Sequence, residues 1–105
     1  MGDRVGERAG TANQTMRLDK FLWFARIVKT RSFAQAMAEQ GRMRIDGRAI
    51  DRAAAPVRIG NILTFATHHG DIRTIRVEAL PVRRGPSGEA QACYQDLMTR
   101  ADPET

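Results

Sequence analysis

Cysteine is nearly absent from this sequence. Cys93 is the only one in 105 residues, so the chain can form neither an internal disulfide nor a zinc site made of several cysteines. A single thiol is compatible with a reducing compartment, and we expect a cytoplasmic protein. The adjacent residues His68 and His69 do not predict a metal site, because neighbouring side chains on a strand point to opposite faces.

Long apolar stretches are absent as well. No run approaches the roughly 20 residues that a helix needs to cross a membrane, and residues 1–15 have no apolar segment of a secretory signal. These residues are polar and rich in Gly and Thr, so we predict a disordered leader. The chain is long enough for one domain with a modest core, and it has no phosphate loop or nucleophile motif. We therefore expect no enzyme, no cofactor, no metal and no membrane partner.

Acidic residues are scarce in one third of the chain. The sequence has 17 Lys and Arg against 12 Asp and Glu, a net charge of +5. Between Arg17 and Arg52 there are nine basic and four acidic residues, so this basic segment carries the whole excess. Almost all the basic residues are Arg, whose planar fork of donors suits phosphates. Concentrated positive charge on a small domain indicates a polyanion as the partner, and nucleic acid is our first expectation.

The basic segment begins with a predicted amphipathic helix. Its apolar positions follow the spacing i, i+3, i+4 and i+7, and they are Leu18, Phe21, Leu22 and Ala25. Asp19 lies in the first turn, where we expect it to complement the helix dipole or to bind an Arg inside the protein. Trp23 and Phe24 lie off the apolar stripe. They could stack on an unpaired base, but we favour packing against the core.

A second short helix is predicted to follow after a break near residue 29. Thr30 and Ser32 are candidate N-caps, and Gly41 is well placed to end the helix. The spacing predicts one apolar face, made of Phe33, Ala36 and Met37.

Strand patterns follow the helices. Residues 42–45 alternate Arg with apolar side chains, as in a half-buried strand, and Asp46-Gly47 predicts a hairpin turn. Further strands are predicted at 62–67 and 75–79. Residues 52–58 are ambiguous, because Pro56 does not fit a central strand. Helices followed by antiparallel strands define an α+β domain, to which we assign residues 16–80.

The C-terminal part is predicted as an appendage to this domain. Residues 81–88 have the composition of a linker, rich in Pro, Gly and Arg. Ala90, either Cys93 or Tyr94, and Leu97 have helical spacing and predict a short C-terminal helix within 81–98. We predict residues 99–105 as a disordered tail.

Ten residues of the basic segment form the candidate RNA-binding set. A helix N-terminus offers free backbone amides and the positive end of the helix dipole, and hydroxyl groups there add donors for phosphate. We expect the set to converge from the two helix starts and the first hairpin. Its members are Arg17, Lys20, Arg26, Lys29, Thr30, Arg31, Ser32, Arg42, Arg44 and Arg48.

The spacing within this set resembles the alpha-L RNA-binding motif, the domain named after small-subunit ribosomal protein 4. The resemblance rests on Arg17-Leu18-Asp19-Lys20, Thr30-Arg31-Ser32, Gly41 and Asp46-Gly47. It implies that the two N-terminal helices pack on a small twisted antiparallel sheet, to which this chain adds its short C-terminal helix.

A narrower resemblance is to the fifteen-kilodalton heat-shock protein family. It rests on residues 20–26 (KFLWFAR), on 29–31 (KTR) and, beyond the domain, on Arg83-Arg84, and it covers about residues 16–98. The resemblance implies a non-catalytic, stress-related protein that binds ribosomal RNA on the free large ribosomal subunit. It also implies that most of the candidate set faces RNA.

Two other interpretations stay open. The chain could be an RNA-binding accessory module for a separate RNA-modifying enzyme. It could also bind nucleic acid in general, including DNA, because phosphate contacts alone do not distinguish the two. We expect a monomer, since a small domain uses its apolar surface for its own core.

Overall fold

The computed structural model describes residues 14–67 and 69–101. Most of the predicted leader, the last residues of the predicted tail and His68 lie outside this range. The elements in chain order are β1 (Met16–Arg17), α1 (Leu18–Phe24), α2 (Arg31–Glu39), β2 (Met43–Ile45), β3 (Arg48–Ile50), β4 (Pro56–Val57), β5 (Ile62–Ala66), β6 (Asp71–Val77), α3 (Ser87–Gln91) and β7 (Tyr94–Ala101).

Five of the strands form one antiparallel sheet with the order β3-β2-β5-β6-β7. Strands β1 and β4 form a separate two-stranded ribbon, in which Met16 pairs with Val57. Helices α1 and α2 pack against each other and against the buried side of the sheet. The structure confirms the predicted α+β architecture. No helix in the described part of the chain is both long and apolar enough to cross a membrane.

Helix α1 supplies much of the core. All four residues of its predicted apolar stripe are buried, and they pack with Met43, Leu63 and Ile75 of the sheet. Burial of large aliphatic side chains of this kind contributes about 1.5–3 kcal/mol each before entropic costs. Trp23 packs against the same core while only partly buried, as we favoured for this residue.

The buried face of α2 is not the one predicted. Its buried residues are Ala34 and Ala38, whereas Phe33 is 49% exposed and Ala36 is exposed too. Ala34 and Ala38 lie four residues apart, on one side of the helix, and their small side chains allow the two helices to approach closely. The prediction was wrong because it weighted the large apolar residues, and close helix packing selected the small ones instead.

The first hairpin forms as predicted. Met43 of β2 pairs with Ile50 of β3, and Asp46 and Gly47 make the turn with φ angles of 52° and 85°. Positive φ at both central residues is the conformation of the two-residue turn that matches strand twist. The Asp46 carboxylate also accepts hydrogen bonds from the Asn61 amide and the Ile62 backbone N–H, both at 2.8 Å, which ties the turn to β5.

The C-terminal region corrects the predicted helix. A short helix is present, but it covers only Ser87–Gln91, and β7 follows it at Tyr94. Strand β7 pairs with β6 from Val77–Tyr94 to Asp71–Ala101, with one irregularity at Thr74/Ile75. The physical reason is non-local, because the edge of β6 presents backbone donors and acceptors that a strand satisfies and a helix does not.

Candidate nucleic-acid interface

A buried carboxylate organises the starts of both N-terminal helices. Asp19 of α1 is 0% exposed, although it carries a charge. Its oxygens accept hydrogen bonds from Arg17 at 3.0 and 3.1 Å, from Arg31 at 3.4 Å and from the Gln35 amide at 3.2 Å. The Lys20 backbone N–H donates to it as well, at 2.8 Å. We call these five residues the Asp19 cluster.

The Asp19 cluster keeps a negative charge in a buried position. Burial by itself raises the pKa of the Asp19 carboxyl, but the hydrogen bonds from Arg17 and Gln35 and the positive charge of Arg31 outweigh burial and hold it below its ordinary value. The same contact raises the pKa of the Arg17 guanidinium. From the sequence we expect Asp19 to complement the helix dipole or to bind an Arg inside the protein, and the structure confirms an internal Arg partner.

The guanidiniums of Arg17 and Arg31 therefore share one carboxylate, and both lie at the surface of the helix pair. The side chains of Arg17 and Arg31 are 48% and 37% exposed, while their shared partner is fully buried. An Arg has five N–H donors, so each retains donors that point away from Asp19. The arrangement fixes two positive side chains in place before any ligand arrives, which lowers the entropic cost of binding a phosphate.

The N-terminus of α2 lies beside the Asp19 cluster. Thr30 is its N-cap, and the Thr30 hydroxyl accepts a hydrogen bond from the Phe33 N–H at 3.1 Å. Within the described residues, the amides of Arg31 and Ser32 donate to no protein acceptor. Such amides, together with the helix dipole, attract an anion. Ser32 and Lys29 are exposed around this end. The structure thus confirms Thr30, not Ser32, as the cap.

The start of α1 offers no comparable amides. The N–H groups of Leu18 and Asp19 donate to the carbonyls of Ala55 and Ala53, at 2.9 and 3.1 Å. The segment that leads into β4 therefore closes this helix end with main-chain atoms. An anion near the helix pair would meet free amides at α2 and side chains at α1.

The less buried side of α1 carries one basic and two aromatic side chains. The Lys20 ammonium lies 5.3 Å from the centre of the Phe24 ring, and the Trp23 and Phe24 rings are 5.6 Å apart at an angle of 46°. Both rings are only partly buried. This side of α1 can present both a positive charge and an aromatic surface to a ligand.

The basic residues of the hairpin do not share one face. Arg44 pairs with Ala49 and Thr64, and with Arg42 it lines an open cavity of about 460 Å³ on the outer side of the sheet. Arg48 pairs with Ile45, and paired residues share a face, so Arg48 lies on the opposite side. There it lines a cavity of about 590 Å³ with Arg52 and Arg58. We expected Arg48 to lie with the other candidate residues, and this prediction was wrong, because Arg48 lies on the opposite face of the hairpin from Arg44.

Arg26 lies apart from the other candidates. It lies two residues after the end of α1 and donates a hydrogen bond to the Gly85 carbonyl, in the segment predicted as a linker. Arg84 of the same segment returns the contact by donating to the carbonyls of Trp23 and Val28. Sequence reasoning placed neither Gln35 nor Arg84 in the site. The position of Gln35, four residues after Arg31, was the one local signal, because it puts both side chains on the same side of α2.

Comparison with known proteins identifies the family. The S4 domain model matches residues 16–63, which span the Asp19 cluster, α2 and the first hairpin. Heat shock protein 15 of Vibrio cholerae, solved as a trimer, superimposes with a TM-score of 0.71 at 36% identity, over 80% of this chain and 83% of that one. The chain belongs to the heat shock protein 15 family.

Two curated relatives extend this assignment. Heat shock protein 15 of Escherichia coli K12 is 36% identical over 81 residues, or 77% of this chain and 59% of the relative. The RQC P-site tRNA stabilizing factor of Bacillus subtilis is 45% identical over 49 residues, or 47% of this chain and 56% of that protein. The chain thus spans about three fifths of the length of the heat shock protein 15 relative that it matches.

Proposed function

We propose that this protein is a non-catalytic RNA-binding factor that binds structured ribosomal RNA on the large ribosomal subunit, in the cytoplasm. The single observation that carries the proposal is the juxtaposition of the Asp19 cluster with the open N-terminus of α2. Two oriented guanidiniums and two unused amides lie next to each other there, which is the donor set that binds backbone phosphates.

The names of the relatives support this choice of RNA. The Bacillus relative is named for stabilising P-site tRNA, and the Escherichia coli relative is named a heat shock protein. We extend both to this chain as a ribosome-associated role related to heat stress. Arg17, Lys20, Lys29, Thr30, Arg31 and Ser32 are the proposed primary contacts. Arg26, Arg42, Arg44 and Arg48 would extend the contact around the domain.

Sedimentation with separated ribosomal subunits tests the proposal. We expect the protein to migrate with the large subunit at moderate salt and to be released by the double variant Lys20→Gln/Lys29→Gln. This variant leaves both arginine partners of Asp19 intact, so the buried carboxylate keeps its ion pairs. Loss of two phosphate contacts should weaken binding by roughly thirtyfold near 0.1 M salt.

A matched control separates a specific surface from net charge. Arg76→Gln/Arg83→Gln removes the same charge from side chains that already pair with Glu78 and Glu89. This control should still migrate with the large subunit. Migration with neither subunit would contradict the proposal and favour a module working with a separate RNA-modifying enzyme. Equal competition by duplex DNA at matched salt would indicate a general nucleic-acid binder.

Oligomeric state is a separate prediction. We expect a monomer from the sequence, whereas the Vibrio relative was solved as a trimer. Strand β7 lies at the edge of the sheet and carries the exposed side chains of Leu97 and Met98, so a second copy could add there. Light scattering during size exclusion distinguishes the two states. A molar mass three times that of the chain would contradict the predicted monomer and indicate a trimer.

A further inference from the structure

Arg26 occupies a backbone conformation that normally belongs to glycine. Its φ is 59°, in the left-handed region, directly after the last residues of α1. Arg26 N–H donates to the Trp23 carbonyl at 3.1 Å, and Ile27 N–H donates to the Leu22 carbonyl at 3.0 Å. These two hydrogen bonds form the helix-ending motif whose left-handed position is usually Gly. An L-residue is strained there, so the side chain of Arg26 needs an explanation of its own.

A second arginine lies beside it, from a distant part of the chain. Arg84 is 58 positions further along the sequence, and its guanidinium donates to the carbonyls of Trp23 and Val28. The same group lies 5.8 Å from the centre of the Trp23 ring, which supports one of its faces. Arg26 in turn donates through Nε to the carbonyl of Gly85, which is buried. Both side chains are therefore held by main-chain atoms of the other's segment.

Within residues 14–67 and 69–101 the pair has no negative partner. Among the described residues, no carboxylate forms an ion pair with Arg26 or Arg84, although Arg83 next to them pairs with Glu89 at 2.7 Å. Burial lowers the pKa of the Arg84 guanidinium, and the nearby positive charge of Arg26 lowers it further. Each guanidinium still has donors that its carbonyl contacts do not use. Two fixed like charges with spare donors form a site that an anion would stabilise.

We propose that Arg26 and Arg84 together hold one backbone phosphate of the bound RNA at the C-terminal end of α1. This site rests on the proposed RNA-binding function and extends it beyond residues 16–63, because Arg84 lies outside the part that matches the S4 domain. We call this pair of side chains the arginine clamp. It is distinct from the N-terminal amides of α2, because the clamp lies at the C-terminal end of α1 whereas those amides lie beside the Asp19 cluster at its start. The partly exposed ring of Trp23 borders it, and the Phe24 ring lies 5.6 Å from that of Trp23, so a nucleotide bound there has an aromatic surface available for its base.

The conformation of Arg26 provides a clean variant. Arg26→Gly removes the side chain and places the residue that best tolerates φ near 60° at that position. We expect the urea midpoint of unfolding to stay close to that of the wild type, because relief of the left-handed strain offsets the lost hydrogen bond to the Gly85 carbonyl. Binding to a fluorescein-labelled RNA hairpin with a two-nucleotide bulge, followed by anisotropy, should weaken about fivefold to tenfold near 0.1 M KCl. The slope of log K against log[KCl] should fall by about one.

The second arginine shows whether the two act on one phosphate. The double variant Arg26→Gly/Arg84→Gln should lose about one in the salt slope, as the single variant does, because the same counterion release is removed. Arg76→Gln is the control for net charge, and it should leave affinity and slope close to those of the wild type. A loss of two in the slope would assign separate phosphates to the two side chains and overturn the shared site.

The outcomes separate this inference from the proposed function. If the wild type binds the hairpin and Arg26→Gly binds equally well with the same slope, the clamp only joins two segments of the fold, and the inference is wrong while RNA binding stands. The same conclusion follows if Arg76→Gln weakens binding as much as Arg26→Gly. If the wild type itself binds neither the hairpin nor the large subunit, the proposed function fails and this site fails with it.

Discussion

The arginines of the first half of the chain and those of its last third stand in different electrostatic settings. After residue 70, Arg73, Arg76 and Arg83 each pair with a carboxylate of their own, at 2.8, 3.0 and 2.7 Å, and among the described side chains Arg84 is the exception, because it contacts main-chain carbonyls instead. Between residues 17 and 52, Arg17 and Arg31 share Asp19, and the described residues provide no carboxylate partner for Arg42 or Arg48.

This difference separates two uses of one residue type. In the last third, the Arg73–Asp96 ion pair joins β6 to β7, and the Arg83 side chain joins the segment before α3 to Glu89 of that helix. Arg73 also lies 5.3 Å from the centre of the Tyr94 ring. In the first half, the charges exceed their partners, and the excess remains available to a polyanion. The identity of a side chain as Arg therefore indicates little by itself. The number of carboxylates that the fold places next to an arginine decides whether it forms ion pairs within the protein or can bind an anionic ligand.

The largest effect should come from the single carboxylate of the first half. Asp19→Ala removes a buried partner of two guanidiniums, an amide and a backbone N–H, so we expect a loss of about 2–3 kcal/mol in the free energy of unfolding. Asp96→Ala is the matched variant of the last third, where the carboxylate is exposed, and it should cost less than about 1 kcal/mol. Urea denaturation measures both. Equal losses would erase the distinction between the two regions.

A smaller effect should follow from removing unpaired charge on the outer side of the sheet. Arg42→Gln/Arg44→Gln takes away two exposed arginines and should reduce affinity for a structured RNA by up to about thirtyfold near 0.1 M salt. Arg76→Gln/Arg83→Gln removes the same charge from paired positions and should change affinity far less. Anisotropy titrations over a range of salt concentrations compare the two. An equal response would show that net charge alone attracts the RNA.

The smallest effect is expected in the acid stability of the fold. The pKa of Asp19 is lowered in the folded protein, so its contribution is fully present above the unfolded pKa of about 4 and is lost as the pH falls through the folded value. Between pH 7 and 5 the wild type and Asp19→Asn should keep a constant difference in urea midpoint. Below about pH 4 the difference should shrink as the wild-type carboxyl becomes protonated. A difference that is independent of pH down to 2 would mean that Asp19 stabilises the fold by shape instead of charge.

Local pattern predicted the parts of this molecule that depend on neighbours in sequence. The buried stripe of α1, the pair of candidate caps Thr30 and Ser32, the hairpin at Asp46-Gly47 and the location of the excess charge all follow from residues within a few positions of one another. Spacing and turn chemistry are short-range effects, so they are legible without coordinates. The S4 domain could be predicted by resemblance to its family, because the residues that carry the resemblance lie within one continuous segment.

Tertiary structure decided everything that joins distant residues. It selected Ala34 and Ala38 as the buried face of α2, turned the end of the predicted C-terminal helix into β7, and placed Arg48 on the other side of the sheet from Arg44. It also brought Arg31 and Gln35 to Asp19, and Arg84 to the end of α1. The sequence alone determined where positive charge is concentrated. Only the fold determined which of those charges are paired, because a carboxylate can neutralise an arginine only when the chain brings the two into contact.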